Sequence, residues 1–223
     1  MTFHIILACF YAVALVTYFH VETKPKLFPV RVTVKIFLAT TYIIAAVAAL
    51  LIKGVTAEYK IFILLACCFA WFGDLLLLFK KTFGIGVFFF LLSNLTIILA
   101  QTSILANTQI NAGFIWVTAA VFAVVYGGLL VLQITKFCTF GKYAVPLNIY
   151  IAVMTLSGLI GIALAIFGAS IFTAVFGCGV ALFMVSDYLL GAHLFKFKTN
   201  KVLIANSAFY FSGMFLIALS LVF

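Results

Sequence analysis

The sequence predicts an all-α fold, a polytopic membrane bundle of about eight transmembrane helices, and three observations carry that prediction. Of 223 residues, 68% are hydrophobic and 8% charged, with mean hydropathy +1.39, whereas a soluble domain is about half apolar and a quarter charged. Apolar runs of about 20 residues, the length of a helix across the hydrocarbon core, follow one another along the whole chain. Only three prolines and no long polar stretch interrupt them, which leaves no room for a separate soluble domain.

Punctuation by charge, Gly, Asn and Pro sets the spans in order at 3–20, 33–52, 61–79, 84–105, 112–135, 144–166, 170–194 and 202–222. The first could be mistaken for a signal peptide, because Ala12-Val13-Ala14 imitates a cleavage site. It lacks the basic segment that precedes such an apolar run and is read as a span. The second ends at Lys53-Gly54, the third at Lys80-Lys81 and the fifth at Lys136. The sixth follows Lys142, the seventh ends before Lys196, and the eighth follows Lys201. The chain is one membrane domain, 1–223, and reads as two related halves of four helices, 1–107 and 108–223.

The net charge of +9 comes from cations in small groups between the apolar runs, a placement that sets membrane topology and argues against nucleic acid as a partner. Lys24, Lys26, Arg31 and Lys35 fall in the first loop, Lys80 and Lys81 in the third, Lys136 and Lys142 in the fifth, and Lys196, Lys198 and Lys201 in the seventh. Only Lys53 and Lys60 fall in an even loop. The positive-inside rule therefore predicts cytoplasmic odd-numbered loops and both termini outside, in a protein of the bacterial inner membrane. Cys9, Cys67, Cys68, Cys138 and Cys178 are odd in number, without metal-ligand spacing, and read as small buried hydrophobes.

Four acids are present, and Glu22 and Glu58 are expected in loops. Asp74 and Asp187 fall inside spans, where a carboxylate costs about 3 kcal/mol and is seldom kept without a partner or a task. They precede Lys80 and Lys196 by six and nine residues, or about 9 and 14 Å of helix, which puts both in the cytoplasmic half. Their contexts are alike: Gly73-Asp74-Leu75-Leu76 with Asn94 twenty residues on, and Ser186-Asp187-Tyr188-Leu189 with Asn206 nineteen residues on. Two acids at like depth suit general acid and base chemistry, one donating a proton while the other stays ionised. The structural alternative is that each only bonds a neighbouring helix or pairs with Lys35.

Lys35 either binds a lipid phosphate, compensates an aspartate or snorkels to the interface. Asn94, Asn148, Tyr150, Ser186 and Tyr210 are candidates to line a wet pocket, or to make interhelical hydrogen bonds. His4, His20 and His193 lie near different span ends without a second ligand at i+3 or i+4, so neither a metal nor another cofactor is expected. Gly127, Gly128, Gly158 and Gly161 permit close helix contacts, within one chain or between two, and leave the oligomeric state open.

These features together resemble the YhhN-type, lysoplasmalogenase-like membrane proteins. The likeness runs over nearly the whole chain: Lys35 opening the second span, Gly73-Asp74-Leu75-Leu76 in the third, and Gly86 with Asn94 in the fourth. It continues with Tyr150 after Pro146, Phe183-Met184-Val185-Ser186-Asp187, and Tyr210-Phe211-Ser212-Gly213. Many relatives carry His at the position of Asn94, Gln or His at that of Met214, and Pro at that of Ile36. The resemblance implies hydrolysis of the vinyl-ether bond of a lysoplasmalogen to a fatty aldehyde and a glycerophospho-alcohol. It makes Asp74 and Asp187 the catalytic pair, without saying which is the acid, and lysophospholipid and membrane lipid the partners. Lys35 would hold the phosphate. Two other readings compete: a transporter using the aspartates as proton or cation sites, and a non-catalytic lipid-binding protein.

Overall fold

A computed structural model of the chain describes residues 2–107, 113–135, 140–141 and 144–223. Eight long helices run through them: α1 (Thr2–Glu22), α2 (Phe28–Lys53), α3 (Glu58–Leu77), α4 (Phe83–Ala106), α5 (Gly113–Ile134), α6 (Ala144–Phe167), α7 (Ile171–Phe195) and α8 (Asn200–Ser220). Each is long and apolar enough to cross a membrane, and no strand occurs among the described residues. The protein is an integral membrane bundle of helices. Lys136, Cys138 and Lys142 lie outside the described residues, as does the predicted boundary between the two halves.

Two helix boundaries differ from the expected ones in ways that matter for the site. α2 begins at Phe28 rather than at residue 33 because Pro29 sits in the first turn, where a missing N–H is no loss and a fixed φ suits the helix. Arg31, expected before the span, and Lys35, expected at its opening, are therefore fixed on the first two turns of a helix. α1 runs through Glu22. That residue, expected in a loop, ends the helix and is buried.

Local chemistry explains other ends. Ser170 and Thr173 form a reciprocal capping box at the start of α7, which satisfies two backbone N–H groups that a helix start leaves free. Thr199 caps α8 by accepting from the Val202 N–H. Glu58 opens α3, where a negative charge complements the helix dipole.

α7 packs along α8 and α6, α3 along α4, and α2 touches α1, α3 and α8. The core holds Leu38, Tyr42, Ile63, Ile97, Phe176, Phe183, Phe211, Met214 and Ile217. Larger outward side chains, among them Phe10, Leu51, Trp116, Val124 and Ile166, are exposed and fit a hydrocarbon surround. Among the described residues α5 packs only on α6 and buries none of its side chains.

Lipid is as apolar as the core, so helix association in a membrane rests on close packing and interhelical hydrogen bonds. The tightest approaches run along α7. A Cβ on Gly213 would lie 2.8 Å from the Gly179 carbonyl oxygen, and one on Gly179 equally near that of Gly213. Gly161 meets Val180 and Gly177, and Gly158 meets Met184, in the same manner between α6 and α7. Gly127 and Gly128, candidates for such contacts within one chain or between two, meet nothing within this chain. Gly213→Leu is expected to push α7 from α8 at a cost of about 2 kcal/mol, read as a lower midpoint of thermal unfolding in detergent. Gly127→Leu, with nothing to displace, should leave that midpoint within about a degree.

Candidate functional site

Asp74 occupies the last turn of α3 and is 2% exposed. The glycine before it lets α4 close over this turn, since a Cβ on Gly73 would lie 2.8 Å from the Phe90 ring. Three donors reach the carboxylate. Lys35 Nζ stands 3.1 Å from Oδ1, while the Tyr210 and Tyr42 hydroxyls donate to Oδ2 at 2.6 and 3.2 Å. Lys35 and Tyr42 are seven residues apart and share one face of α2, and Tyr210 comes from α8. The anticipated pairing of Lys35 with an aspartate is thus realised at Asp74.

Asp187 lies two turns before the end of α7 and has a different company. The Tyr150 hydroxyl of α6 donates to its Oδ2, and the Asn94 amide of α4 stands within reach while also donating to the Phe90 carbonyl at 3.1 Å. Among the described residues no Lys, Arg or His makes an ion pair with it; the one ion pair there is that of Lys35 with Asp74.

Both aspartates line one polar cavity of about 310 Å³. Its walls come from the end of α1, the first turns of α2, the last turns of α3 and α7, the start of α4 and the first half of α8. These helix ends adjoin the lysine-bearing first, third and seventh loops. Arg31, Lys35, Glu22 and His193 line it with the aspartates. An almost wholly apolar pocket of about 200 Å³, walled by the end of α3 and by α4 to α7, lies next to it and is lined by Tyr150, Met154 and Tyr188. The two share Leu77, Phe83, Phe90, Asp187, Leu190 and Leu194. Asp187 therefore stands where polar and apolar compartments meet, and Asp74 belongs to the polar side alone.

Of the residues anticipated from sequence, Asp74, Asp187, Lys35 and Tyr210 line the polar cavity, Tyr150 lines the apolar pocket, and Asn94 is buried beside Asp187. Ser186 is not part of the group, since its hydroxyl turns back to the Phe183 carbonyl. Asn148 forms a reciprocal amide pair with Gln133 of α5 at 2.8 and 3.0 Å. Met214 is fully buried in the core, and His20 bonds Lys24 on the exposed side of α1.

Sequence reasoning missed Glu22, Arg31 and Tyr42. Tyr42 had a signal in its seven-residue spacing from Lys35. Arg31 was hidden by the late start assigned to α2. Glu22 had none, because α1 is apolar on every side and its periodicity does not reveal which face turns inward.

Neither a curated protein nor a solved structure matches the chain. A family profile does: residues 30–221 match the YhhN family, a stretch that includes every cavity-lining residue except Tyr18 and Glu22. The chain belongs to the YhhN family.

Proposed function

We propose that the protein is an intramembrane lipid hydrolase that cleaves the vinyl-ether bond of a lysoplasmalogen. The observation that carries this reading is the join at Asp187 between a cavity lined with charged side chains and an apolar pocket. A one-chain phospholipid has the same division, and its vinyl-ether bond lies at the boundary between headgroup and chain. Membership of the YhhN family supports the same substrate class.

In the proposed reaction Asp187 donates a proton to the β-carbon of the vinyl ether, converting the double bond to a single bond and leaving an oxocarbenium ion at the α-carbon. Asp74 stays negative, held by Lys35, Tyr42 and Tyr210, and stabilises that cation across the cavity. Water adds to the α-carbon and returns its proton to the Asp187 carboxylate, which restores the acid, and the hemiacetal collapses with transfer of its hydroxyl proton to the departing alkoxide oxygen, giving a fatty aldehyde and the glycerophospho-alcohol. The logic is that of paired carboxylates in glycoside hydrolysis, which also proceeds through an oxocarbenium-like state. Asp187 takes the acid's role for its position: it alone of the two reaches the apolar pocket in which the alkenyl chain lies. Lys35 and Arg31 attract the phosphate, and the odd-numbered loops face the cytoplasm.

The test supplies purified protein in detergent with a lysoplasmalogen and with its saturated ether analogue, and follows aldehyde. Release from the vinyl ether alone is the expected result. Proton flux through proteoliposomes without aldehyde would replace this reading with a transporter, and binding of both lipids without turnover would make the protein a lipid-binding one.

A further inference from the structure

Glu22 is the one carboxylate of the polar cavity for which the proposed hydrolysis has no use. It is 5% exposed, at the end of α1, and its Oε1 accepts a hydrogen bond from Ser207 of α8. The Tyr18 phenol, one turn earlier, faces the same carboxyl. Its other oxygen, Oε2, is buried and has no hydrogen-bond partner among the described residues. A buried carboxylate oxygen without a donor is costly, so a donor supplied from the cavity would find a prepared place.

The cations nearby do not fill it. Arg31 Nη1 donates to the backbone carbonyl of Glu22 at 3.1 Å rather than to its carboxylate, and the guanidinium lies over the Phe28 ring, 5.0 Å from its centre. Lys35 is bound to Asp74. Arg31 has five N–H donors and Lys35 three, so both retain capacity for an anion. The cavity thus sets two cations that suit a phosphate beside a carboxylate whose Oε2 has no donor among the described residues.

We infer that Glu22 forms an ammonium subsite, and that with Arg31 and Lys35 on the phosphate it selects a lysolipid headgroup ending in a primary amine. The inference rests on the lysoplasmalogen reading and adds the headgroup to it. A primary ammonium donates an N–H to Oε2 in a charge-assisted hydrogen bond. A trimethylammonium has no N–H to donate, is bulkier, and leaves Oε2 unpaired. A site built to hydrogen-bond a group discriminates strongly against an analogue without it. Residue 22 lies outside the stretch that matches the family.

The experiment compares lysoplasmenylethanolamine with lysoplasmenylcholine, as kcat and KM for aldehyde release, on the wild type and on Glu22→Gln. The wild type is expected to favour the ethanolamine lipid about tenfold in KM, and Glu22→Gln to reduce that preference to within about twofold. Equal use of both headgroups by the wild type overturns the inference without any variant. So does a Glu22→Gln protein that keeps the tenfold preference. In parallel, binding of lysophosphatidylethanolamine and lysophosphatidylcholine, which carry no vinyl ether, is measured by thermal stabilisation. A tenfold preference for the ethanolamine lipid there with no aldehyde from either plasmalogen would refute the hydrolase and keep the subsite. Aldehyde release with no headgroup preference would do the reverse.

Discussion

Asp187→Asn is expected to lower the rate of aldehyde release by about 10³-fold, within the range that general acid catalysis contributes. Asparagine has nearly the size of aspartate and keeps an oxygen to accept the Tyr150 hydroxyl, so the interhelical bond from α6 survives. What it lacks is an acidic proton. The loss should fall on kcat, with binding of the saturated ether analogue changed by less than about threefold, the signature of a group that acts only in the transition state. Single-turnover aldehyde release and analogue binding together provide the check. A variant that keeps a tenth of the activity would remove Asp187 from the acid's role. Asp74→Asn is the informative companion, because it also strips Lys35 of its counter-ion and should alter both binding and kcat.

Lys35→Met should destabilise the bundle by about 3 kcal/mol. The substitution leaves a 2%-exposed carboxylate at Asp74 without its cation, and removing one partner of a buried pair is far more damaging than replacing both. Tyr42 and Tyr210 still donate to the remaining charge but cannot neutralise it. Combining Lys35→Met with Asp74→Asn should recover most of the loss, and this double-mutant cycle, followed by unfolding in detergent, isolates the coupling. If Lys35 merely snorkelled to the headgroups, the single variant would stay within about 0.5 kcal/mol of the wild type.

Much of the candidate site was legible because polar residues are scarce in this sequence. Asp74 and Asp187 stand out among apolar runs on the cost of burying a charge. The match of the YhhN family to residues 30–221 agrees with the likeness carried by Gly73-Asp74 and Ser186-Asp187. Ser186 shows the limit of such reasoning. Its neighbour in sequence is a cavity residue, but one step along a helix turns the side chain by about 100°, so it bonds its own backbone instead. Gly127 and Gly128 make no close contact within the chain for a related reason. Small residues permit close approach, but among the described residues α5 has only α6 beside it, and none of them comes near that face.

The sequence by itself determined that the chain is a membrane bundle of eight helices and which of its aspartates lie within spans, because span length and the cost of buried charge are local properties. The tertiary structure alone decided which side chains meet. It put Lys35, Tyr42 and Tyr210 on Asp74, and Tyr150 and Asn94 at Asp187. It also moved Glu22 from an expected loop into the polar cavity. The physical reason is that these helices are apolar all round. In water an amphipathic stripe shows which face turns inward; in lipid both faces are greasy, and the inward face is fixed by glycine contacts and interhelical hydrogen bonds between residues as far apart in sequence as Asp74 and Tyr210.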